Sequence, residues 1–449
     1  MRLFLRNAGW LVFALAMVSV GAAAQEPLTL RQAIQQALKQ NPEVDAAHAG
    51  TQEAKAGAAL ARTQLLPQLN FIEDMSRGND PVYVFGTKLR QQRFTAADFD
   101  LNALNRPAPL GNFATRFSGS WMAFDSFRTQ KLIRSADLMQ TSAETSSKAV
   151  DQRIVFDVVQ AYQAVLYAKR QVAVAQHEWE TAKALLSSVD DRVKAGLAVE
   201  SDRMSAQVNE AAMKQGLIAA QGELELAWAQ LRLAMGAPDL TPSNLEAIEP
   251  KEFPQNSLDQ ELQTAAKTRP DLAALGQAQS AQAFAVSAAK MSYGPRVSAY
   301  GNWEDDRDLN FGGHNWLAGV QITIDILPFS KRAQLQRETA AKARVDAQLN
   351  TYQQQVRLQV SQAHIQRQTA KQSLDTAKAA IDQATESLRI LKNRYDAGLA
   401  TITDLLRAED AERQAQATYW RAVYGNAVAY AGALYATGTL TPDAAEELQ

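Results

Sequence analysis

The chain has 449 residues, 46% hydrophobic and 21% charged, a globular composition with room for two or three ordinary domains. Lys+Arg 46 against Asp+Glu 48 leaves a formal charge of −2, so there is no electrostatic case for nucleic acid. Cys 0 excludes disulfides, thiolate metal sites, cysteine nucleophiles and cysteine-linked lipid, and four scattered histidines leave little imidazole chemistry.

Residues 1–24 read as an export signal: basic Arg2 and Arg6, an apolar stretch from Trp10 to Val20, and small Ala22, Ala23 and Ala24 for cleavage. Losing it takes the charge from −2 to −4 by removing two arginines. Further on, the longest apolar run, Ala427 to Ala436, is too short for a membrane helix. A mature chain that enters a membrane must therefore do so as a β-barrel.

Residues 25–240 and 258–440 read as two copies of one unit, joined by a linker over 241–257 and followed by a tail over 441–449. Arg192, Ala195, Gly196, Leu197, Asp202 and Ala206 reappear 202 residues later as Arg394, Ala397, Gly398, Leu399, Asp404 and Ala408. Upstream, Asn41-Pro42 matches Arg269-Pro270 at an offset of 228. The first copy thus holds about 26 additional residues between Pro67 and Phe124.

No proline lies between Pro109 and Pro238 or between Pro328 and Pro442, as very long helices require. Ile154, Val158, Ala161, Val165, Ala168 and Val172 start a seam with alternating steps of four and three that runs to Val193. Its copy, from Val356 to Tyr395, is broken only by Arg367, read as a register or lumen residue. A helix from Phe127 to Val193 would span roughly 100 Å. Gly196 and Gly398 suit the left-handed position after each long helix, at tips over 194–202 and 396–404. Ser201-Asp202 and Thr403-Asp404 suit the caps of the returning helices.

Before each long helix the apolar period changes to two. Phe113, Phe117 and Trp121 share one face, as do Val297 with Trp303 and Trp316 with Val320 and Ile322. Arg116, Ser118, Ser298, Gln321 and Thr323 fall on the other. Runs of about ten residues with this alternation suit membrane strands, though a half-buried soluble sheet gives the same pattern. The strands are expected near 67–72, from Phe113, and over 295–304 and 316–326. A loop over 74–112, rich in Tyr83, Phe85, Phe94 and Phe99, is expected to lie outside and pack over the mouth. Gly312 to Asn315 reads as a hairpin turn, and Asp305, Asp306 and Asp308 as a solvated loop. Four strands cannot close a barrel, so the chain must oligomerise to hide its edges.

No Walker loop, GxSxG, HExxH or carboxylate–histidine cluster occurs at usable spacing, so an enzyme finds no support and no cofactor is implied. The assembled features resemble the TolC-like outer-membrane efflux protein family. The residues carrying the likeness are Leu28, Leu30, Ala33, Ala37, Leu38 and Asn41-Pro42, then Phe124-Asp125, and the doubled Ala-Gly-Leu…Asp…Ala signature. The segment from Ile324 to Phe329 departs from the family's usual turn.

The resemblance implies a fold that is mainly α with membrane β: a homotrimeric twelve-stranded barrel in outer-membrane lipid, continued by an α-helical coiled-coil barrel through the periplasm. It implies a passive efflux or secretion duct working with a periplasmic adaptor and an inner-membrane transporter. The alternative is a periplasmic coiled-coil adaptor or scaffold. At the tip, marked by Gly196, Leu197, Gly398 and Leu399, the resemblance assigns Tyr395 and Asp202 to a closure network. It places Asp404 in an acidic ring, with Arg407 three residues on. Ala400 stands where the family's best-known member has arginine. Phe113, Phe117, Trp121, Val297, Trp316, Val320 and Ile322 are expected to face lipid.

Overall fold

The computed structural model of the protein describes residues 27–242, 244–246 and 251–448; the proposed signal and part of the linker lie outside them. The first half holds α1 (Leu30–Gln40), α2 (Pro42–Thr63), β1 (Gln68–Gly78), α3 (Pro81–Arg90), a 3-10 turn (Ala96–Phe99), α4 (Leu101–Asn105), β2 (Leu110–Phe124), α5 (Arg128–Lys194) and α6 (Glu200–Met235). The second half holds α7 (Leu258–Thr268), α8 (Pro270–Met291), β3 (Arg296–Arg307), β4 (Gly312–Thr323), α9 (Phe329–Asp396), α10 (Ile402–Thr437) and α11 (Pro442–Glu446). No helix among the described residues is long and apolar enough to cross a membrane.

The long helices follow the proline gaps. α5 has 67 residues and α9 has 68, and each returns in a 36-residue partner. Their heptad seams form the buried stripes: Ile154, Val158, Ala161, Val165 and Ala168 in α5, and Val356, Val360, Ala363 and Ala377 in α9. Arg367 is buried in the same stripe, so it lines no lumen. It pairs with Glu261 of α7 at 2.9 Å and donates to the carbonyls of Pro254 at 3.4 Å and Asn256 at 3.2 Å. The seam position became a clamp on the segment entering α7.

The main core sits at the base of the hairpins, where α1, α5, α6 and α10 surround Trp228, Tyr162, Leu231 and Met235. Tyr162 reaches through it to donate to the carbonyl of Leu28 at 2.7 Å. Each returning helix ends there on a left-handed glycine, Gly236 with φ +64 and Gly438 with φ +73. A Cβ on Gly236 would lie 2.7 Å from Asn41 Cα, and one on Gly438 would lie 2.7 Å from Arg269 Cα. Glycine is required at both for conformation and for space. Asn41 and Arg269 complete the junctions by donating to the carbonyls of Ala234 at 2.9 Å and Ala436 at 3.0 Å.

The four strands form one antiparallel sheet in the order β1-β2-β3-β4. Several expected boundaries move. β1 runs on to Gly78 and β2 begins at Leu110, so the connection is 79–109 rather than 74–112, and it is largely helical. β3 extends to Arg307, which puts Asp305 and Asp306 in a strand, and Gly312 to Asn315 belong to β4. The true turn is 308–311, where Asp308 accepts from the backbone N–H groups of Asn310 and Phe311. β4 ends at Thr323 because Asp325 turns aside to pair with Arg296 at 3.1 Å and with Lys331.

Candidate functional site

The two ends of the molecule carry the residues singled out above. At the helical end, the tips share one geometry. Gly196 (φ +74) and Gly398 (φ +75) follow the long helices. Leu197 N–H reaches back to Arg192 O at 2.8 Å, and Leu399 N–H to Arg394 O at 2.7 Å. These bonds, with Gly196 N–H to Val193 O and Gly398 N–H to Tyr395 O, are Schellman closures. They leave Leu197 and Leu399 79% and 69% exposed at the extreme end. Beneath them Ile402 packs on Val189 and Ala206, tying the second tip to the first.

The expected caps are displaced. α6 starts after Val199 with no side-chain cap, and Asp202 is its third residue, its N–H donating to Val199 O at 3.0 Å and its carboxylate making no hydrogen bond or ion pair among the described residues. α10 starts after Thr401, and Asp404 closes a capping box with it: the Thr401 hydroxyl donates to Asp404 at 2.7 Å, and Asp404 N–H donates to Thr401 Oγ1 at 3.2 Å. The Thr401 hydroxyl and backbone N–H hold the Asp404 carboxyl below the usual range, with Arg407 and Arg394 adding smaller pulls. Arg407 forms no ion pair with Asp404 among the described residues.

Sequence reasoning missed Arg192. Its guanidinium lies 4.8 Å from the centre of the Tyr395 ring and 3.8 Å from the Asp396 carboxylate. It supplies a cation beside Tyr395, as Ala400 cannot. Its place at the head of the repeated signature was the available signal.

At the other end the strand registers put Phe117, Trp121, Val297, Trp316, Val320 and Ile322 on one face. Leu69, Phe71 and Trp303 join them there, and Phe71, Phe117, Trp303 and Trp316 form a row across all four strands. The rings of Phe71 and Phe117 are 5.1 Å apart, and those of Phe117 and Trp303 5.9 Å. A bulge between Met122 and Phe124 turns Phe124 onto the same face. Phe113 shares this face but stands beyond a polar row of Glu73, Thr115, Asp305 and His314.

The opposite face carries Arg116, Ser118, Ser298, Gln321 and Thr323. Arg116 pairs there with Glu304 at 2.7 Å. The 79–109 segment lies on this polar face. Gln91 donates to Asn112 at 2.8 Å, Asn112 to Asp306 at 2.6 Å, and Arg93 pairs with Asp308. Burial works against the charge on Asp308, but the Asn310 and Phe311 N–H groups and Arg93 outweigh it and lower its pKa. Within the segment Lys88 holds Asp98 at 2.6 Å, which with Thr95 lowers that carboxyl to about 2. Phe94 stacks edge-on with Phe85 and Phe99.

The family described as outer membrane efflux protein matches this chain over residues 33–237 and 262–436. The chain belongs to that family. It is 22% identical to the outer membrane efflux protein BepC of Brucella suis, over 92% of this chain and 86% of BepC. Outer membrane protein OprJ of Pseudomonas aeruginosa is 23% identical, over 86% of this chain and 78% of OprJ. Among solved structures, the Campylobacter jejuni CmeC outer membrane channel superposes with a TM-score of 0.80 at 18% identity, covering 100% of this chain and 97% of CmeC. The open state of the Neisseria gonorrhoeae MtrE channel gives 0.74 at 18% identity, covering 92% and 91%. This member of the efflux family is an outer-membrane channel protein, neither an enzyme nor the adaptor of the alternative reading.

Proposed function

We propose that three copies of this efflux protein close into a twelve-stranded barrel in the outer membrane, continued through the periplasm by the paired helices of a tandemly duplicated unit. The duct is passive: a periplasmic adaptor docks on it, and an inner-membrane transporter supplies the energy. The observation that carries this reading is the sheet. It is apolar and exposed on one face, polar on the other, and open at both edges, β1 and β4. Open edges need partners, and joining each β4 to a neighbouring β1 removes them all. Phe117, Trp121, Val297, Trp316, Val320 and Ile322 then face lipid, with Phe113 at the level of the headgroups.

A charge at the bilayer midplane on the lipid face costs roughly 2–4 kcal/mol. Val320→Arg is expected to abolish detergent-extracted trimer, whereas Gln321→Arg, one residue on, assembles normally. Equal yields of trimer from the two variants would exclude the barrel.

The same assembly brings the six tips together at the periplasmic entrance. We place a latch there made of Tyr395, Arg192 and Asp202, while Asp404 remains a helix cap. The Asp202 carboxylate, without a partner among the described residues, is available to a neighbouring hairpin. Asp202→Ala with Tyr395→Phe is expected to raise single-channel conductance in planar bilayers, and parental conductance from intact trimer rejects the latch.

A further inference from the structure

The segment between β1 and β2 is folded onto the wrong side of the sheet for a surface loop. Val84 and Thr87, continued by Gln91 just past the helix end, form the buried stripe of α3, and that stripe lies on the polar face. Tyr83 hydrogen-bonds Ser76 of β1 at 3.0 Å, Gln91 reaches Gly111 O of β2 at 3.1 Å, and Arg90 stands 3.7 Å from Glu304 of β3. On β4, a Cβ at Gly313 would lie 2.4 Å from Arg90 O. The helix therefore crosses all four strands at their hairpin end. The basic end of α3 meets the acidic end of β3: Arg90 with Glu304, Arg93 with Asp308. Arg93 also lies 4.6 Å from the centre of the Phe311 ring.

Half a turn from the buried stripe, Val82 and Leu89 form an apolar ridge, 80% and 50% exposed, that points away from the sheet. In the barrel proposed above the polar face looks inward, so this ridge points at the barrel axis. Twelve strands about 4.8 Å apart and tilted about 45° close at a radius of roughly 13 Å. A helix with its side chains is about 10–12 Å across. Three such helices lying against the inner wall leave no open passage between them.

We propose that residues 80–107 form an exit plug: three copies of α3 meet on the barrel axis through Val82 and Leu89 and close the outward mouth. The occupant of the apolar ridge is the same ridge of the two other protomers. The links from Arg93 to Asp308 and from Arg90 to Glu304 hold each copy to its wall and must let go, or shift, when cargo leaves. This rests on the barrel reading, with the hairpin ends facing outward.

The chain has no cysteine, so single cysteines report directly. Ser118→Cys places a thiol on the polar face below the plug, and Leu309→Cys places one in the β3–β4 turn, where Leu309 is 95% exposed. Intact cells are treated with a membrane-impermeant maleimide. Ser118→Cys is expected to label at least tenfold more slowly than Leu309→Cys. It is expected to approach the Leu309→Cys rate when Arg90→Gln and Arg93→Gln are added, or when 79–109 is replaced by the Asp-Leu-Asn-Phe turn of 308–311. Val82→Cys is expected to form disulfide-linked dimers of protomers on oxidation of the trimer.

Fast labelling of Ser118→Cys in the otherwise unaltered protein overturns the plug while leaving the barrel intact. So does a trimer whose Val82→Cys does not cross-link. If Leu309→Cys is itself unreactive from outside while the protein is in the outer-membrane fraction, the barrel orientation fails, and the plug with it.

Discussion

The two halves of the chain build the same hairpin from helices of nearly equal length, yet equivalent positions do different work. Val165 of α5 is a fully buried apolar residue in the main core. Its counterpart 202 residues later is Arg367, equally buried but held by Glu261, by two backbone carbonyls and, through Glu261, by His364 at 2.9 Å. The first long helix buries Val155, Val159, Tyr162 and Leu166 beside its seam, whereas α9 leaves Leu358 and Ile365 exposed. The first half is finished by contacts within the chain; the second presents surface that the proposed neighbours would cover. Two hairpins of one geometry can therefore, in the proposed trimer, divide the tasks of packing inward and packing against other copies.

The sharpest way to break this comparison is at the unlike seam pair. Arg367→Ala takes the guanidinium from buried Glu261, leaving it only the His364 ring, and is expected to cost about 3–5 kcal/mol. Glu261→Leu combined with Arg367→Met should recover most of that loss. Val165→Ala removes two methyl groups and opens a cavity, for about 2 kcal/mol. Thermal unfolding of the detergent-solubilised protein checks the order, and a loss at Arg367 no larger than that at Val165 would mean the clamp is ornamental.

A smaller effect distinguishes Glu178 of α5 from Ala380, its counterpart in α9. Burial pushes the Glu178 carboxyl up to about 7 from 4.5; Arg413 opposes the rise, and Glu412 and Asp410 of α10 add to it. An acid with a raised folded-state pKa favours the folded state least when ionised. Its penalty is absent below the unfolded value, grows as pH rises from 4.5, and is complete above about 7. Glu178→Gln should therefore stabilise the protein at pH 8, by roughly 1 kcal/mol after discounting for its half-exposed position, and not at pH 4. Equal melting shifts at the two pH values would remove the assignment.

The smallest contrast lies at the tips. Thr401→Ala breaks the capping box and should cost about 1 kcal/mol, and Val199→Thr should gain up to about 1 kcal/mol by supplying the missing cap. If Val199→Thr changes conductance and not stability, the bare first tip is a functional feature.

The helices were legible because their signals are local and long: proline gaps and a seam repeated over many turns. Strand faces were legible too, since a period of two assigns Phe117 or Trp316 to a side without knowledge of the partner. Strand ends were not. Asp306 and Gly313 look like loop residues because the groups that accommodate them, Asn112 and the end of α3, are far away in sequence. The caps were misplaced by two or three residues because Asp202 and Thr403 have the right chemistry one turn too late. Arg192 and Arg367 were visible as residues, but their partners were set by tertiary packing.

The open sheet edges also bear on inheritance. In the proposed ring of three, every protomer lends β1 to one neighbour and β4 to the other, so one copy with a spoiled edge would interrupt the whole circle. When sound and spoiled chains are made in equal amounts and assemble at random, only about one ring in eight contains no spoiled copy. A proline that unpairs β1 or β4 should thus behave as a dominant allele, whereas a defect confined to export of the chain should be recessive.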